Sequence, residues 1–225
     1  MNSLLTLNAG RVLRSRLVEA PGSFGERSRL RRWETFRTCF PDAGQMRVID
    51  LGGTTESWIR APVRPLHVCV LNLAPADREP PEWITPIQGD ACAPPEALLR
   101  ERFDLVFSNS LIEHVGGHFR RAALADAIAR LASRHWVQTP YRYFPIEPHW
   151  LFPGFQFLPL AARAWLSHRW PLMHTRAGTQ ASALAASLEI ELLSRTEMTF
   201  YFPDSRILDE RVGPLTKSLI AIKLT

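Results

Sequence analysis

Lysine and cysteine are scarce in this sequence, and it contains no long apolar run. Lys217 and Lys223 are the only lysines, so the net charge of +5 comes almost entirely from arginine. The three cysteines have neither paired nor metal-ligand spacing, and we therefore predict no disulfide framework and no metal site. No uninterrupted run of about 20 apolar residues is present, so we expect no membrane-spanning helix. The cysteine usage fits a reducing cytoplasm. The N-terminus also lacks the apolar core of a signal peptide, so we expect a cytoplasmic protein that is soluble or peripheral to the membrane.

The excess of arginine has two interpretations. Guanidinium groups suit phosphates and carboxylates, which favours an anionic acceptor or an anionic membrane surface as a partner. A general bias of composition towards arginine explains the same charge without any partner. Within residues 1–45, an arginine-rich stretch leads to Trp33 and Phe36, and their spacing predicts an amphipathic helix. Because the sequence lacks the aromatic-interleaved basic pattern of a known nucleic-acid-binding module, no nucleic-acid partner is expected.

Five short β-rich runs follow one another along the chain, and helical or loop-like segments separate them. They occupy residues 46–51, 66–73, 83–90, 103–110 and 133–140. Strands that alternate with helices predict βαβ units and a parallel sheet, with the loops after the strands along one ligand-binding edge. Two further alternating segments, 189–202 and 216–224, predict closing strands that form an antiparallel hairpin at the sheet edge.

After Pro140 the pattern changes to a stretch dense in aromatic residues and proline. We predict that it forms a lid inserted after the fifth strand, over about residues 141–175, with a helix near residues 160–168. A second helix is expected over residues 177–188. The apolar side chains of the lid either pack against one another or form a surface for a lipid-linked acceptor or a membrane.

The turn after the first strand is the first candidate site. Asp50 ends an apolar run and is followed by Gly52, Gly53 and Thr54, at a point where a strand passes to a helix. Glycine allows the backbone to approach a ligand closely, and the amides at the start of the next helix favour polar or anionic groups. Many α/β proteins have such a turn, so this motif alone does not identify a ligand.

Three more motifs follow in order at the ends of the next strands. They are VLNLAP at 70–75, GDA at 89–91 and FDLVFSNSLIEHV at 103–115. Together with VIDLGGT at 48–54, they resemble the motifs of the class I S-adenosylmethionine-dependent methyltransferases, and in particular those of the methyltransferase type 11 kind. The resemblance implies a Rossmann-like three-layer α/β sandwich with a mainly parallel seven-stranded sheet, an antiparallel edge strand and the lid insertion. Residues 46–225 then form the methyltransferase domain, and residues 1–45 form an N-terminal helical extension.

The resemblance also implies S-adenosyl-L-methionine as the cofactor. Asn72 is implied to hold the ribose hydroxyls, Asp90 to accept a hydrogen bond from the adenine amino group, and the fourth motif to line the methionine end. The implied cofactor-binding residues are Asp50, Gly52, Gly53, Thr54, Asn72, Leu73, Asp90, Ala91, Asn109 and Ser110. The sequence departs from the family pattern at Thr54 and Glu56, where further glycines are usual, and at Asn72, where Asp or Glu is usual.

The candidate catalytic residues lie after the fourth and fifth strands. A methyl group on a sulfonium is already activated, so the protein has to position the acceptor, exclude water and remove a proton. The candidates are His149 and Glu147, on the proline-rich segment after the fifth strand, and His114, with Tyr141 and Tyr143 as further acceptor contacts. The alternative for Glu147 and His149 is that they only hold the lid in place, and for His114 that it packs beside the cofactor.

These motifs predict methyl transfer to an oxygen atom of a small molecule, a glycan or a lipid-linked precursor. C- or N-methylation on the same fold is one alternative. A catalytically silent binding protein that kept the methyltransferase fold is another, and a nicotinamide-dependent oxidoreductase is a third. The sequence does not indicate the oligomeric state.

Overall fold

The apolar runs of the sequence form the strands of one central sheet in the computed structural model, which describes residues 12–76, 78–173 and 178–225. The sheet consists of β1 (Arg47–Leu51), β2 (His67–Asn72), β3 (Ile84–Gln88), β4 (Leu105–Asn109), β5 (His135–Pro140), β8 (Arg206–Val212) and β9 (Leu215–Lys223). Two short strands, β6 (Ile146–Glu147) and β7 (Phe152–Pro153), pair separately in the lid. All five strands predicted between residues 46 and 140 are confirmed within a few residues.

The spatial order of the large sheet is β3-β2-β1-β4-β5-β9-β8. Strands β1 to β5 pair in parallel, while β9 runs antiparallel to both β5 and β8. Successive strands are added on one side of β1 up to β3, and the crossover from β3 to β4 returns the chain to the other side of β1. The strand order therefore reverses between β1 and β4, and their carboxyl ends flank the switch point. Ligands bind at such a point in open α/β sheets. The predicted mainly parallel seven-stranded sheet with an antiparallel hairpin at one edge is therefore confirmed.

Helices cover both faces of the sheet. They are α1 (Phe24–Cys39), α2 (Thr55–Ile59), α3 (Glu96–Arg100), α4 (Gly117–Leu131), α5 (Leu160–Arg169), α6 (Gln180–Glu189) and α7 (Arg195–Tyr201), with short turns at Ser15–Glu19, Ala43–Gln45 and Phe155–Phe157. Side chains alternate along each strand, so Val48 of β1 packs on the face that α1 covers and Ile49 on the face that α4 covers. The two buried clusters on either side of the sheet make the three-layer sandwich that the sequence predicts.

The arginine-rich helix α1 packs against the sheet through aromatic side chains. Phe36 is fully buried, and its ring contacts Trp136 of β5 edge-on at 5.4 Å. Arg32 pairs with Glu210 of β8 at 2.8 Å and donates a hydrogen bond to Gln138 of β5 at 3.0 Å. The predicted amphipathic helix is confirmed, and its inner arginine serves to fix α1 to the sheet. The division of the chain into an extension and a domain stays a prediction.

The predicted strand over residues 189–202 is wrong, because half of this segment, Arg195–Tyr201, forms α7. Ser194 caps the helix: its Oγ accepts a hydrogen bond from the Glu197 backbone N–H at 3.3 Å, and Glu197 Oε2 accepts one from the Ser194 N–H at 2.7 Å. This Ser-x-x-Glu arrangement is a capping box, which starts a helix whatever the β propensity of the residues that follow. The strand that pairs with β9 is β8, after α7.

The lid contains a small apolar core of its own. Trp150 and Phe155 stack at 4.1 Å and are buried together with Met173. The predicted helix near residues 160–168 is confirmed as α5 and the second as α6, while residues 174–177 lie outside the described part of the chain. Phe157 and Trp165, by contrast, are 57% and 52% exposed. The described residues include no helix that is both long and apolar enough to cross a membrane.

Candidate active site

The glycine turn after β1 has no room for side chains. Gly52 has a φ of +80°, and a Cβ there would lie 2.6 Å from Leu111 Cδ1. A Cβ on Gly53 would lie 1.7 Å from Asp50 Oδ2. Thr54 has an ordinary extended φ of −127°, and its side chain accepts a hydrogen bond from the Ser57 N–H at the start of α2. The turn therefore needs glycine at 52 and 53 only, and Thr54 is suited to its position as a helix cap.

Asp50 is a buried carboxylate beneath this turn. It is 1% exposed, and the indole Nε1–H of Trp58 donates a hydrogen bond to its Oδ2 at 2.7 Å. Its Oδ1 accepts no hydrogen bond from the described part of the chain. Burial raises the pKa of Asp50 to about 7, although the bond from Trp58 acts in the opposite direction. A buried carboxylate oxygen without a donor is costly. The site thus offers an acceptor to a cationic or N–H-bearing ligand.

Asn72, at the end of β2, holds the glycine turn. Its Nδ2 donates hydrogen bonds to the carbonyl oxygens of Gly53 at 2.7 Å and Gly52 at 3.3 Å. Its Oδ1 accepts a hydrogen bond from the Ala74 N–H at 3.1 Å. A carboxylate has no proton to donate to these carbonyls, so Asp or Glu could not do the same here. The departure from the family pattern at position 72 therefore has a structural explanation that the sequence did not reveal.

Asp90 pairs with an arginine that no sequence motif indicates. Arg120, in the first turns of α4, donates two hydrogen bonds to the Asp90 carboxylate, at 2.7 and 2.9 Å. This hydrogen bonding holds the pKa of Asp90 below its usual range. The Cys92 N–H donates to Asp90 Oδ1 at 2.9 Å as well. Arg120 lies 30 residues from Asp90 in the sequence, so only the fold could identify it as the partner.

The end of β4 has an unusual backbone conformation. Ser110 has a φ of +53°, which residues with a side chain rarely adopt. Its hydroxyl donates to Gln138 Oε1 at 3.1 Å, and Asn109 Oδ1 accepts a hydrogen bond from the Trp136 indole at 3.3 Å. Such conformations often occur at functional sites, where surrounding contacts hold them. The strained residue lies immediately before the segment that carries Glu113 and His114.

His149 and Glu147 form a hydrogen-bonded pair in the lid. His149 Nδ1 lies 2.6 Å from Glu147 Oε1, and Glu147 Oε2 accepts the backbone N–H groups of His149 and Trp150 at 2.7 and 2.8 Å. Burial lowers the pKa of His149, but the hydrogen bond to Glu147 and the charges of Glu147 and Glu113 outweigh it and raise the pKa overall. The His149 ring meets that of His114 edge-on, with the centroids 4.9 Å apart. The three predicted catalytic residues are therefore neighbours.

Of the cavities that border the glycine turn, one of about 510 Å³ is lined by Gly53, Thr54 and Asn72, and two others hold most of the predicted cofactor-binding residues. The smaller of these two, of about 160 Å³, brings together Gly52, Asn72, Leu73, Asp90, Ala91 and His114. The other, of about 700 Å³, brings together Asp50, Gly53, Thr54 and Asn109 with side chains of α1. His114 links the smaller cavity to the Glu147–His149 pair. Ser110 lines neither cavity, and Tyr143 is 58% exposed and stacks on Phe157.

Comparisons with known proteins agree on the fold. No family model matches this chain, and no curated protein matches it. The N-terminal domain of EvdMO1, solved in the presence of SAH and D-fucose, aligns with 99% of this chain and 97% of that chain, at 17% identity and a TM-score of 0.50. An O-methyltransferase family protein from Burkholderia thailandensis aligns with 87% of this chain and 56% of that chain, at 13% identity and a TM-score of 0.50.

A third structure, a Rhodobacter sphaeroides protein assigned as a Zn-dependent alcohol dehydrogenase, aligns with 85% of this chain and 87% of that chain. Its identity is 12% and its TM-score is 0.52. At these identities a likeness shows the fold alone. The sheet order and the antiparallel β9 between β5 and β8 show that the chain has the Rossmann-like fold of the class I methyltransferases.

Proposed function

We propose that this protein is an S-adenosylmethionine-dependent methyltransferase that acts on an oxygen atom of a small-molecule, glycan or lipid-linked acceptor. The observation that carries the proposal is the glycine turn that borders these cavities. Gly52 and Gly53 leave the backbone bare where a ligand can approach it, and Asp50 beneath them has an unsatisfied oxygen. A cofactor with an ammonium group at one end and an adenine at the other fits these features.

The cofactor would lie across the turn, with its adenosine part at the smaller cavity. There Asp90 would accept the adenine amino group, and Asn72, Leu73 and Ala91 would surround the ribose and the base. Since Arg120 already occupies both oxygens of Asp90, the adenine would share this carboxylate with a guanidinium.

The methionine part would lie over the turn itself. Asp50 would accept the ammonium group, Gly52 and Gly53 would lie beneath the chain, and Thr54, Asn109 and Ser110 would border it. The binding of an ammonium group would satisfy the buried oxygen of Asp50, which has no hydrogen-bond donor within the described part of the chain.

The acceptor would enter beside His114. A hydroxyl has to lose its proton as the new carbon–oxygen bond forms. Glu147, His149 and His114 are the groups at hand to lower the pKa of that hydroxyl or to remove the proton. An acceptor nitrogen or carbon at the same position would give N- or C-methylation instead.

Two other functions compete with this one. The Asp90–Arg120 pair and the use of Asn72 as a clamp favour a silent binding protein, because both occupy groups that the cofactor would use. The sheet topology argues against a dinucleotide-dependent oxidoreductase: the usual Rossmann order 3-2-1-4-5-6 has no antiparallel strand beside the fifth, whereas β9 here is antiparallel to β5.

Calorimetric titration with S-adenosylhomocysteine tests the proposal. We expect one binding site per chain, and Asp90→Ala should weaken binding by about 1–3 kcal/mol through the loss of the adenine contact. Asp42→Ala is the control, because Asp42 also pairs with an arginine, Arg134, at 2.9 Å but lies outside both cavities. If no heat of binding is measured at millimolar ligand, the methyltransferase proposal is contradicted, and the catalytically silent binding protein becomes the favoured function.

Peripheral membrane contact through the lid is a further part of the proposal. Phe157 and Trp165 are exposed, and the Arg169 guanidinium lies 4.7 Å from the Trp165 ring, where it could meet lipid phosphates. We expect the protein to float with vesicles that contain anionic phospholipid. The Phe157→Ala Trp165→Ala variant should not float with them.

The matched control for this flotation experiment is Phe119→Ala Phe200→Ala, because these phenylalanines are 87% and 66% exposed but lie on α4 and α7. It should float as the unchanged protein does. If the unchanged protein fails to float, the lid has no affinity for anionic membranes.

A further inference from the structure

Three potential metal ligands converge where the segment after β4 meets the lid. Glu113, His114 and His149 each offer one ligand atom, and these atoms all lie within 4.8 Å of one another. His114 Nε2 is 4.0 Å from Glu113 Oε1. Metal–ligand bonds of about 2.1 Å would place the three ligand atoms roughly 3 to 3.5 Å apart. Small rotations of the side chains therefore suffice to close the site around an ion.

Glu113 is a fully buried carboxylate with one oxygen unused. Thr139 Oγ1 donates a hydrogen bond to Oε2 at 2.9 Å, while Oε1 accepts none from the described part of the chain. An ionised carboxylate in such a place needs a cation or further donors to offset the loss of water. The two imidazoles stand on the side of the unused oxygen, which makes this a place for a cation with nitrogen and oxygen ligands.

Glu147 orients the His149 ring for coordination. Its carboxylate is 1% exposed and fixed by two backbone N–H groups, and it accepts the Nδ1 proton of the imidazole at 2.6 Å. With its proton on Nδ1, the ring keeps a lone pair on Nε2. Histidine ligands of protein-bound metals usually have this kind of carboxylate partner, which fixes the tautomer and raises the basicity of the ligand.

We infer that Glu113, His114 and His149 bind a divalent transition-metal ion, with Glu147 as the positioning residue behind His149. Two imidazoles and one carboxylate suit zinc and manganese better than magnesium, which prefers oxygen ligands. Ion binding itself needs no methyl donor. The role of the ion in catalysis rests on the proposed methyltransferase function.

The open side of the site faces the smaller cavity. His114 lines that cavity and its side chain is 37% exposed, so the remaining coordination positions are within reach of an acceptor. An acceptor hydroxyl that coordinates the ion has a lower pKa and gives its proton to water. The acceptor oxygen then bonds to the methyl carbon, the carbon–sulfur bond breaks, and its electron pair goes to sulfur, which leaves as a neutral thioether.

Calorimetric titration of the chelator-treated full chain with zinc, manganese and magnesium chlorides tests the inference. We expect one zinc or manganese ion per chain, with magnesium at least tenfold weaker. Glu113→Gln and His114→Ala should each weaken zinc binding at least tenfold, and Glu147→Gln should weaken it by about 10- to 100-fold. His118→Ala removes an exposed imidazole outside the cluster and should leave the affinity unchanged.

Circular dichroism identifies any variant that fails to fold. If Glu113→Gln, whose side chain is buried, does not fold, the zinc affinity of His114→Ala decides the test. The inference is overturned if neither zinc nor manganese binds at millimolar concentration, or if Glu113→Gln and His114→Ala both bind as tightly as the unchanged protein. Titration with S-adenosylhomocysteine separates the two proposals: ion binding without nucleoside binding upholds the metal site and rejects the methyltransferase.

Discussion

Gly53→Ala should remove cofactor binding and lower the free energy of unfolding by about 2–4 kcal/mol. The added Cβ would lie 1.7 Å from Asp50 Oδ2. That oxygen cannot withdraw easily, because Trp58 holds it by a hydrogen bond within the buried core. The turn would therefore have to move, and the clamp from Asn72 to the Gly53 carbonyl would break with it. Urea denaturation and titration with S-adenosylhomocysteine measure the two effects.

Gly178→Ala is the control for this substitution, since a Cβ at Gly178 would meet no atom of the described residues within 4 Å. Its free energy of unfolding should stay within about 0.5 kcal/mol of the unchanged protein. Adding Asp50→Ala to Gly53→Ala should recover part of the lost stability, because the collision is with that carboxylate and the two effects are then not additive. If the Gly53→Ala protein is as stable as the unchanged protein and still binds S-adenosylhomocysteine, the cofactor does not approach the backbone closely at Gly53.

His149→Ala should lower kcat by about 10²- to 10⁴-fold, the range of acid–base and metal-assisted steps, and change the dissociation constant of the cofactor less than threefold. His149 is 18% exposed and paired with Glu147, and it lines neither cavity of the glycine turn. Its removal therefore affects the acceptor side alone. Turnover is measured with a labelled methyl donor, on an acceptor found by screening sugar, phenol and polyprenyl hydroxyls.

His118→Ala serves as the control for turnover as well, because His118 is exposed and contacts Tyr201 rather than the lid. It should keep the full kcat. If His149→Ala loses turnover and cofactor affinity to the same extent, the Glu147–His149 pair only holds the lid in place. This is the alternative role that the sequence leaves open for the pair.

The strands and their order along the chain could be predicted because each is a short apolar run that ends in polar or glycine residues. The error at 189–202 has a local cause. The alternation of apolar residues favours a strand, whereas Ser194 and Glu197 form a capping box that starts a helix. This signal was present in the sequence and outweighs a weak period-two pattern.

The contents of the site were less accessible to prediction. Whether Asn72 faces a ligand or the glycine turn depends on its rotamer, and Arg120 reaches Asp90 only because α4 begins beside the end of β3. The prediction of no metal site rested on cysteine spacing, which says nothing about Glu113 and two histidines 35 residues apart in the sequence. Ligands from distant segments become visible only when the fold brings them together.

Arg14, near the start of the described chain, holds the lid through hydrogen bonds to residues far along the sequence. Its guanidinium donates hydrogen bonds to the carbonyl oxygens of His149, Pro148 and Leu172, at 3.0, 3.3 and 2.7 Å. Contacts across 134 to 158 residues form late, since the closure of such long loops is entropically costly. During synthesis, Arg14 can form the hydrogen bond to Leu172 only after nearly four-fifths of the chain has been made. The lid is therefore expected to close only after Leu172 has been made, before β8 and β9 complete the sheet at residues 206–223.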